Sequence, residues 1–334
     1  MELNVVWFIL LAVLFIGFFF LEGFDYGVGM LNRILGRNDT EHRMILRTIA
    51  PVWDGNEVWM ITAGGAMFAA FPHVYATLFS GLYMALFLML LVLIGRGVAF
   101  DFRDQSESST WRNTWDWIIC LGSAIPAFLW GVAVTNLVQG LLINEKMIYV
   151  GTFFDLLTPY TLVGGLAFLL VFLFHGALFV ALKVEGELIE RARSLALKVG
   201  VIAALVYLVC VGLTYTNTDV FNSGLATASF VIAVLTFVAG YICLFIKRYG
   251  LGFIMSSLAI AFTTIGFFAG LFPRLIVSSL NPEWSLTIYN ASSTPYTLKI
   301  MTIAAVILVP VILVYQIWTY WIFRKRITAD SLDD

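Results

Sequence analysis

The chain has 334 residues, of which 61% are hydrophobic and 12% charged, with a formal net charge of -2. Soluble domains carry about 25% charged residues, so this composition excludes a water-soluble globular fold. With no basic stripe interleaved with aromatic residues it also excludes a nucleic-acid-binding protein. The mean hydropathy of +0.94 is that of an integral membrane protein.

A helix crosses the hydrocarbon with about 20 apolar residues, and nine stretches qualify: 5–31, 50–72, 74–101, 114–142, 158–183, 196–217, 221–246, 250–273 and 297–323. Continuous apolar runs of this length exclude a membrane β-barrel, which alternates with period two. Backbone groups in lipid must be satisfied within the segment, so the runs are helices. The expectation is an all-α, polytopic membrane protein with nine transmembrane helices in one domain, 1–334. Nine helices suit two four-helix bundles plus one connecting helix. The first run has no positive n-region and no small-residue cleavage site, so 5–21 reads as a retained span. With the N-terminus outside and the C-terminus in the cytoplasm, every Lys and Arg except Lys146, Arg274 and Lys299 falls on the inner side. That is the asymmetry of the positive-inside rule.

Glu22 and Asp25 stand toward the inner end of the first span, and Asp54 and Glu57 occupy the first turns of the second. Each pair is spaced i, i+3 and shares a helix face. Acids at membrane depth are expensive and by default mark a proton, ion or substrate site. Desolvation penalises the charged carboxylate, which fits such a group to hold and release a proton. The bland alternative is a set of interfacial acids paired with Arg33, Arg96 or Arg103, or favoured by a helix N-terminus. Gly23-x-x-x-Gly27 permits close helix packing. Trp53 and Trp59 bracket the second acid pair. The third span ends with Arg96, Asp101 and Arg103, the first two of which offer the acids counter-charge and hydrogen bonds. The fourth begins with Asp116. Cys120, Cys210 and Cys243 lie in apolar runs and read as packing residues. Of three histidines, His42 reads as solvated in the first inner loop and His73 lies at an outer edge. His175, the one internal imidazole, reads as a hydrogen-bonded core residue rather than a haem ligand. No metal site is expected. The segment 274–295, the longest outer connection, is expected along the outer interface.

Several motifs carry a resemblance. They are Glu22-Gly-Phe-Asp25-Tyr-Gly-Val-Gly29-Met30, Leu35-Gly-Arg-Asn-Asp39, Ala50-Pro-Val-Trp-Asp54-Gly-Asn-Glu57-Val-Trp59 and the run from Thr62 to Pro72. Arg96-Gly-Val-Ala-Phe-Asp101-Phe-Arg103 and Trp111-Arg-Asn-Thr-Trp-Asp116-Trp117 follow in the same order. Together they resemble subunit II of cytochrome bd-type quinol oxidases. The resemblance implies a complex of the bacterial cytoplasmic (inner) membrane that oxidises quinol and reduces dioxygen to water with cytoplasmic protons. It implies that haem b and haem d sit on a haem-bearing subunit I, with this chain as a non-ligating partner of similar fold. In some members a bound quinone, an oxygen path or a small accessory subunit is added. Carried onto these residues, Asp25 and Asp54, with Glu22 and Glu57, are the proton route. Arg96 and Asp101 are polar support near the interface, and Trp59 is a wall of an oxygen or quinone path. The competing expectation is a proton-coupled secondary transporter using the same carboxylates.

Overall fold

The computed structural model describes residues 2–332. Helix α1 (Leu3–Leu35) is followed by the short α2 (Asp39–Arg47), α3 (Trp53–Ala70), α4 (Pro72–Gly81) and α5 (Tyr83–Phe102). Then come α6 (Ser109–Gln139), α7 (Pro159–Lys183), α8 (Glu187–Asn217), α9 (Gly224–Phe245) and α10 (Tyr249–Leu271). A two-stranded antiparallel ribbon, β1 (Arg274–Ile276) and β2 (Leu286–Thr287), precedes α11 (Pro295–Ile322). Polar residues set the helix starts. Asn38 accepts from Glu41 N ahead of α2, and Thr158 and Thr294 cap α7 and α11, each just before a proline at the first helical position.

Eight helices among the described residues are long and apolar enough to cross a membrane: α1 and α5 to α11. The expected nine are not reached by that measure. Ala50, Pro51 and Val52 form turns, so the second stretch becomes helical only at Trp53. The resulting α3 has 18 residues, and Asp54 and Glu57 dilute its apolar character. The third stretch is interrupted at Leu82 and divides into α4 and α5.

Helices α1, α3, α5 and α6 pack as one group and α7 to α10 as a second, joined where α1 and α6 lie against α7. The odd helix is α11, which runs along α1 and α3, and no residue of its most apolar window is buried. At 33 residues α1 is about 50 Å long, and it is the axis of the molecule. Arg191 at the start of α8 donates to Leu35 O at the end of α1, and Arg193 donates to Leu244 O at the end of α9. At the opposite end Asn4 donates to Ile288 O, in the segment after β2. That segment is folded rather than spread on a surface. Leu275, Ile276, Leu286 and Ile288 join Trp7, Phe8, Leu11 and Phe71 in one apolar cluster.

Helices α1 and α7 approach each other backbone to backbone. A Cβ on Gly27 would stand 2.1 Å from the Phe172 carbonyl oxygen, and one on Gly176 would stand 2.5 Å from the Gly27 carbonyl carbon. The glycine spacing read in α1 is therefore used at Gly27, backbone against backbone, as small-residue contacts in membranes are. Gly27→Ala must push α1 from α7 and is expected to cost about 1–3 kcal/mol of overpacking. Gly212→Ala, where nothing lies within 4 Å, should be neutral or slightly stabilising. Melting temperatures of the two purified variants check the contrast.

Candidate functional site

The sixth and seventh turns of α1 bring Glu22 and Asp25 to the centre of the first helix group, and both are 0% exposed. Helix α5 supplies Arg96, itself 1% exposed, whose Nη1 donates to Glu22 Oε1 at 2.7 Å. The guanidinium lies 5.1 Å from the Tyr26 ring, 5.6 Å from Phe100 and 5.9 Å from Trp53. Aromatic faces thus share the cation with the carboxylate. Helix α3 supplies Asn56, fully buried, whose Nδ2 donates to Asp25 Oδ2 at 2.6 Å. Helix α11 closes the set: the Tyr320 hydroxyl donates to Asn56 Oδ1 at 2.8 Å and Gln316 Nε2 at 3.4 Å. Trp59 Nε1 donates to Gln316 Oε1 at 3.0 Å.

Several atoms of this cluster are buried with no protein partner: Glu22 Oε2, Asp25 Oδ1, the Tyr26 hydroxyl, and Arg96 Nε and Nη2. Buried polar atoms are nearly always hydrogen-bonded, to protein or to ordered water. Both acceptors and donors stand open here, which is the lining a small polar species such as water requires.

The expected site residues divide. Glu22, Asp25 and Arg96 are brought together. Trp59 is at the cluster, with its ring against Gly17 of α1 and its N–H on Gln316. Glu57 is half-buried beside it. Asp54, expected to share the route with Asp25, is exposed. The reason is helical phase. Asn56 faces α1, and a residue two positions earlier lies about 200° around the helix. Asp101 is also exposed and, among the described residues, makes no hydrogen bond or ion pair, so the structure does not bring it to the acids. Asn56, Tyr26, Gln316 and Tyr320 were missed. Asn56 lay in view inside the Trp-Asp-Gly-Asn-Glu motif, but it is polar without being ionisable, and it is ionisable groups at membrane depth that mark a functional site by default.

A second polar cluster sits at the end of the bundle that carries the basic loops. Arg103 Nε donates to Asp116 Oδ1 at 2.7 Å and its Nη2 to Asp39 Oδ1 at 2.9 Å; Asn32 Nδ2 donates to Asp116 Oδ1 at 2.7 Å. Arg103, Asp116 and Asp39, with Arg33 and Arg112, line an open cleft of about 510 Å³. His42, expected to be solvated, is 9% exposed, with Nδ1 2.9 Å from Asn32 Oδ1 and 3.9 Å from Asp116 Oδ2. Helix α2 folds back along the end of α1 and carries the imidazole into the cleft wall.

The histidines do not fit haem ligation. His175 Nε2 is 3.1 Å from Phe20 O and its Nδ1 2.7 Å from Ser256 Oγ, with the ring stacked on Phe253 at 4.6 Å. A carbonyl only accepts, so Nε2 carries the hydrogen and Nδ1 accepts from the serine. Both nitrogens are used to tie α7 to α1 and α10. His42 is engaged by Asn32, and His73 is exposed.

The fold and site define a class: an all-α membrane subunit with paired carboxylates and one arginine enclosed between helices. Residues 3–323 match the cytochrome bd terminal oxidase subunit II family. Cytochrome bd ubiquinol oxidase subunit 2 of Bacillus subtilis is 43% identical over 329 residues, covering 98% of this chain and 97% of the relative. Cytochrome bd-I ubiquinol oxidase subunit 2 of Escherichia coli strain K12 is 38% identical, covering 99% and 97%. The solved structure of bd oxidase from Geobacillus thermodenitrificans contains a chain of the same fold, with a TM-score of 0.77 at 21% identity over 97% of this chain and all of that one. The chain belongs to the cytochrome bd terminal oxidase subunit II family. It is thus a component of a respiratory terminal oxidase, and the transporter alternative has no support.

One pH dependence follows from His42. Burial holds its imidazole below the ordinary 6.5; Asp116 opposes this, while Arg103 and Arg33 add to it. The folded protein therefore binds this proton less readily than the unfolded chain. The associated stability is present above about pH 6.5 and lost as pH falls below it. His42→Gln is expected to flatten the decline in melting temperature between about pH 6.5 and 5. An unchanged decline contradicts this account of the imidazole.

Proposed function

We propose that this chain is the non-haem-ligating subunit of a quinol:dioxygen oxidoreductase and carries part of the path by which cytoplasmic protons reach the oxygen-reducing centre. The reading rests on one observation above others. Glu22 and Asp25 are fully buried among apolar helices, Glu22 bonded to Arg96 and Asp25 to Asn56, and each keeps an oxygen without a protein partner. A carboxylate pair serving only as a structural tie would have its oxygens satisfied. Open oxygens on adjacent acids accept and release protons at little structural cost. The distribution of basic residues supports an N-terminus outside, a C-terminus in the cytoplasm and a bacterial inner-membrane location. In that orientation the carboxylates stand toward the cytoplasmic side.

Haem b and haem d are assigned to subunit I, since no histidine here offers a free nitrogen in a facing pair. When bound there, they supply electron transfer and oxygen chemistry. The residues of this chain hold and move protons. The surface of α3 supports a place for that partner. Asp54, Val58, Ile61, Gly65 and Phe68 are all exposed and recur at spacings of four and three, forming one stripe. The buried stripe, Asn56, Ala63, Met67 and Ala70, lies on the opposite face. Nothing lies within 4 Å of a Cβ built at Gly65, so a second helix can approach closely there. Docked on that stripe, subunit I meets Asp54 directly. Asp54 thereby enters the route at the interface, with Glu57 between it and the buried pair. A bound quinone and a small accessory subunit are further components the resemblance implies.

Asp25→Asn is expected to lower quinol oxidase activity on the order of 10²-fold while the haem spectrum of the complex stays intact. Full activity with intact haems would remove Asp25 from the route. Gly65→Leu fills the open stripe and is expected to reduce the amount of haem-bearing subunit that co-purifies, leaving the helical content of this chain unchanged.

A further inference from the structure

The hydrogen bonds that reach Asp25 from α11 run in one direction only. An indole N–H donates and never accepts. Trp59 Nε1 donates to Gln316 Oε1 at 3.0 Å, which commits the Gln316 carbonyl and turns its amide nitrogen toward Asn56 Oδ1 at 3.4 Å. The Tyr320 hydroxyl donates to the same Asn56 oxygen at 2.8 Å. With two donors on Oδ1, Asn56 has only its NH2 left to present to Asp25, at 2.6 Å from Oδ2. An isolated buried asparagine is free to turn its amide and offer either end. This one is held by a chain of donors that begins at a group unable to reverse. Gln316 and Tyr320 are spaced i, i+4 and so act from one face of α11.

We infer that Trp59, Gln316 and Tyr320 are positioning residues that lock Asn56 as a donor to Asp25 Oδ2, so that Asp25 takes up and gives up its proton at Oδ1. Oδ1 is buried without a partner, so the second oxygen is the one open to a proton. A hydrogen bond donated to a carboxylate favours its charged form. The other charged and titratable groups around Asp25 are Glu22 and Tyr26 on its own helix, Glu57 on α3, Arg96 on α5 and Tyr320 on α11. His175 of α7 is turned to Phe20 O and Ser256. Because α11 is otherwise lightly packed, its position becomes coupled to the proton affinity of Asp25 through two side chains. This inference rests on the proposed role of Asp25 in proton delivery and adds the groups that set its polarity.

The test uses the whole oxidase complex carrying Trp59→Phe or Tyr320→Phe in this subunit, with Asp25→Asn as reference. Each of the first two removes a donor and keeps an aromatic ring. Both variants are expected to retain the parent's haem content and to show a pH–activity profile displaced toward higher pH by about half a unit or more. The infrared carboxyl C=O band that disappears in Asp25→Asn should change frequency in both. A purely structural role for these residues would alter heat stability and leave profile and band in place. Profile and band unmoved in both variants, with haems intact, overturns the inference while the proton route stands. Full activity of Asp25→Asn overturns the route itself. Should Trp59→Phe fail to assemble, Tyr320→Phe, which loses a single hydroxyl, decides the matter.

Discussion

An ionised carboxylate among apolar helices is tolerated only when a cation and hydrogen-bond donors meet it, and the Glu22–Arg96 pair meets that condition at 2.7 Å with both groups almost wholly buried. Removing one partner of such a pair costs about 3–5 kcal/mol, because the other charge is left uncompensated. The pair therefore pins α5 to α1. Asn56 pins α3 to α1 in the same way through Asp25, and Tyr320 and Gln316 extend the network to α11. The tight glycine contact of Gly27 with α7 works alongside it, holding α1 as the axis on which the acids are carried. Polar contacts thus join α1 to α3 and α5 and reach α11, while α1 meets α7 through the glycine contact and apolar packing.

The helical class, most of the membrane segments and the family were legible in the residues, because twenty-residue apolar runs and linked motifs are signals of length and order. The acids of α1 and their arginine were legible for a related reason: charge at membrane depth stands out against an apolar background. Rotation about a helix axis was not. Asp54 and Asn56 are two residues apart, and nothing in their spacing says which of them faces α1. The answer comes from the packing stripe Asn56, Ala63, Met67 and Ala70, whose residues are small or neutral. His42 was misplaced because α2 is a nine-residue helix that folds back, a feature carried by the Asn38 cap rather than by hydropathy. The break at Leu82 has no proline or glycine pair to announce it beyond Gly81.

The two polar clusters have different characters. Around Arg103, Asp116 and Asp39 each charge is answered by another, and the cluster fastens α1, α2, α5 and α6 at the loop end. Around Glu22 and Asp25 the pairing is incomplete: carboxylate oxygens and guanidinium nitrogens are buried without a protein partner. Complete pairing suits an anchor. Incomplete pairing leaves room for a proton to arrive and depart, which is why the Glu22–Asp25 cluster rather than the Arg103–Asp116 cluster carries the functional reading.

That reading is tested most directly by time-resolved proton uptake after oxygen is delivered to the fully reduced complex, comparing the parent with Glu22→Gln. The account predicts that haem reduction by quinol is unaffected while proton uptake, and oxygen reduction with it, slows by at least about an order of magnitude. Uptake at the parent rate in a complex whose haems are intact would contradict it.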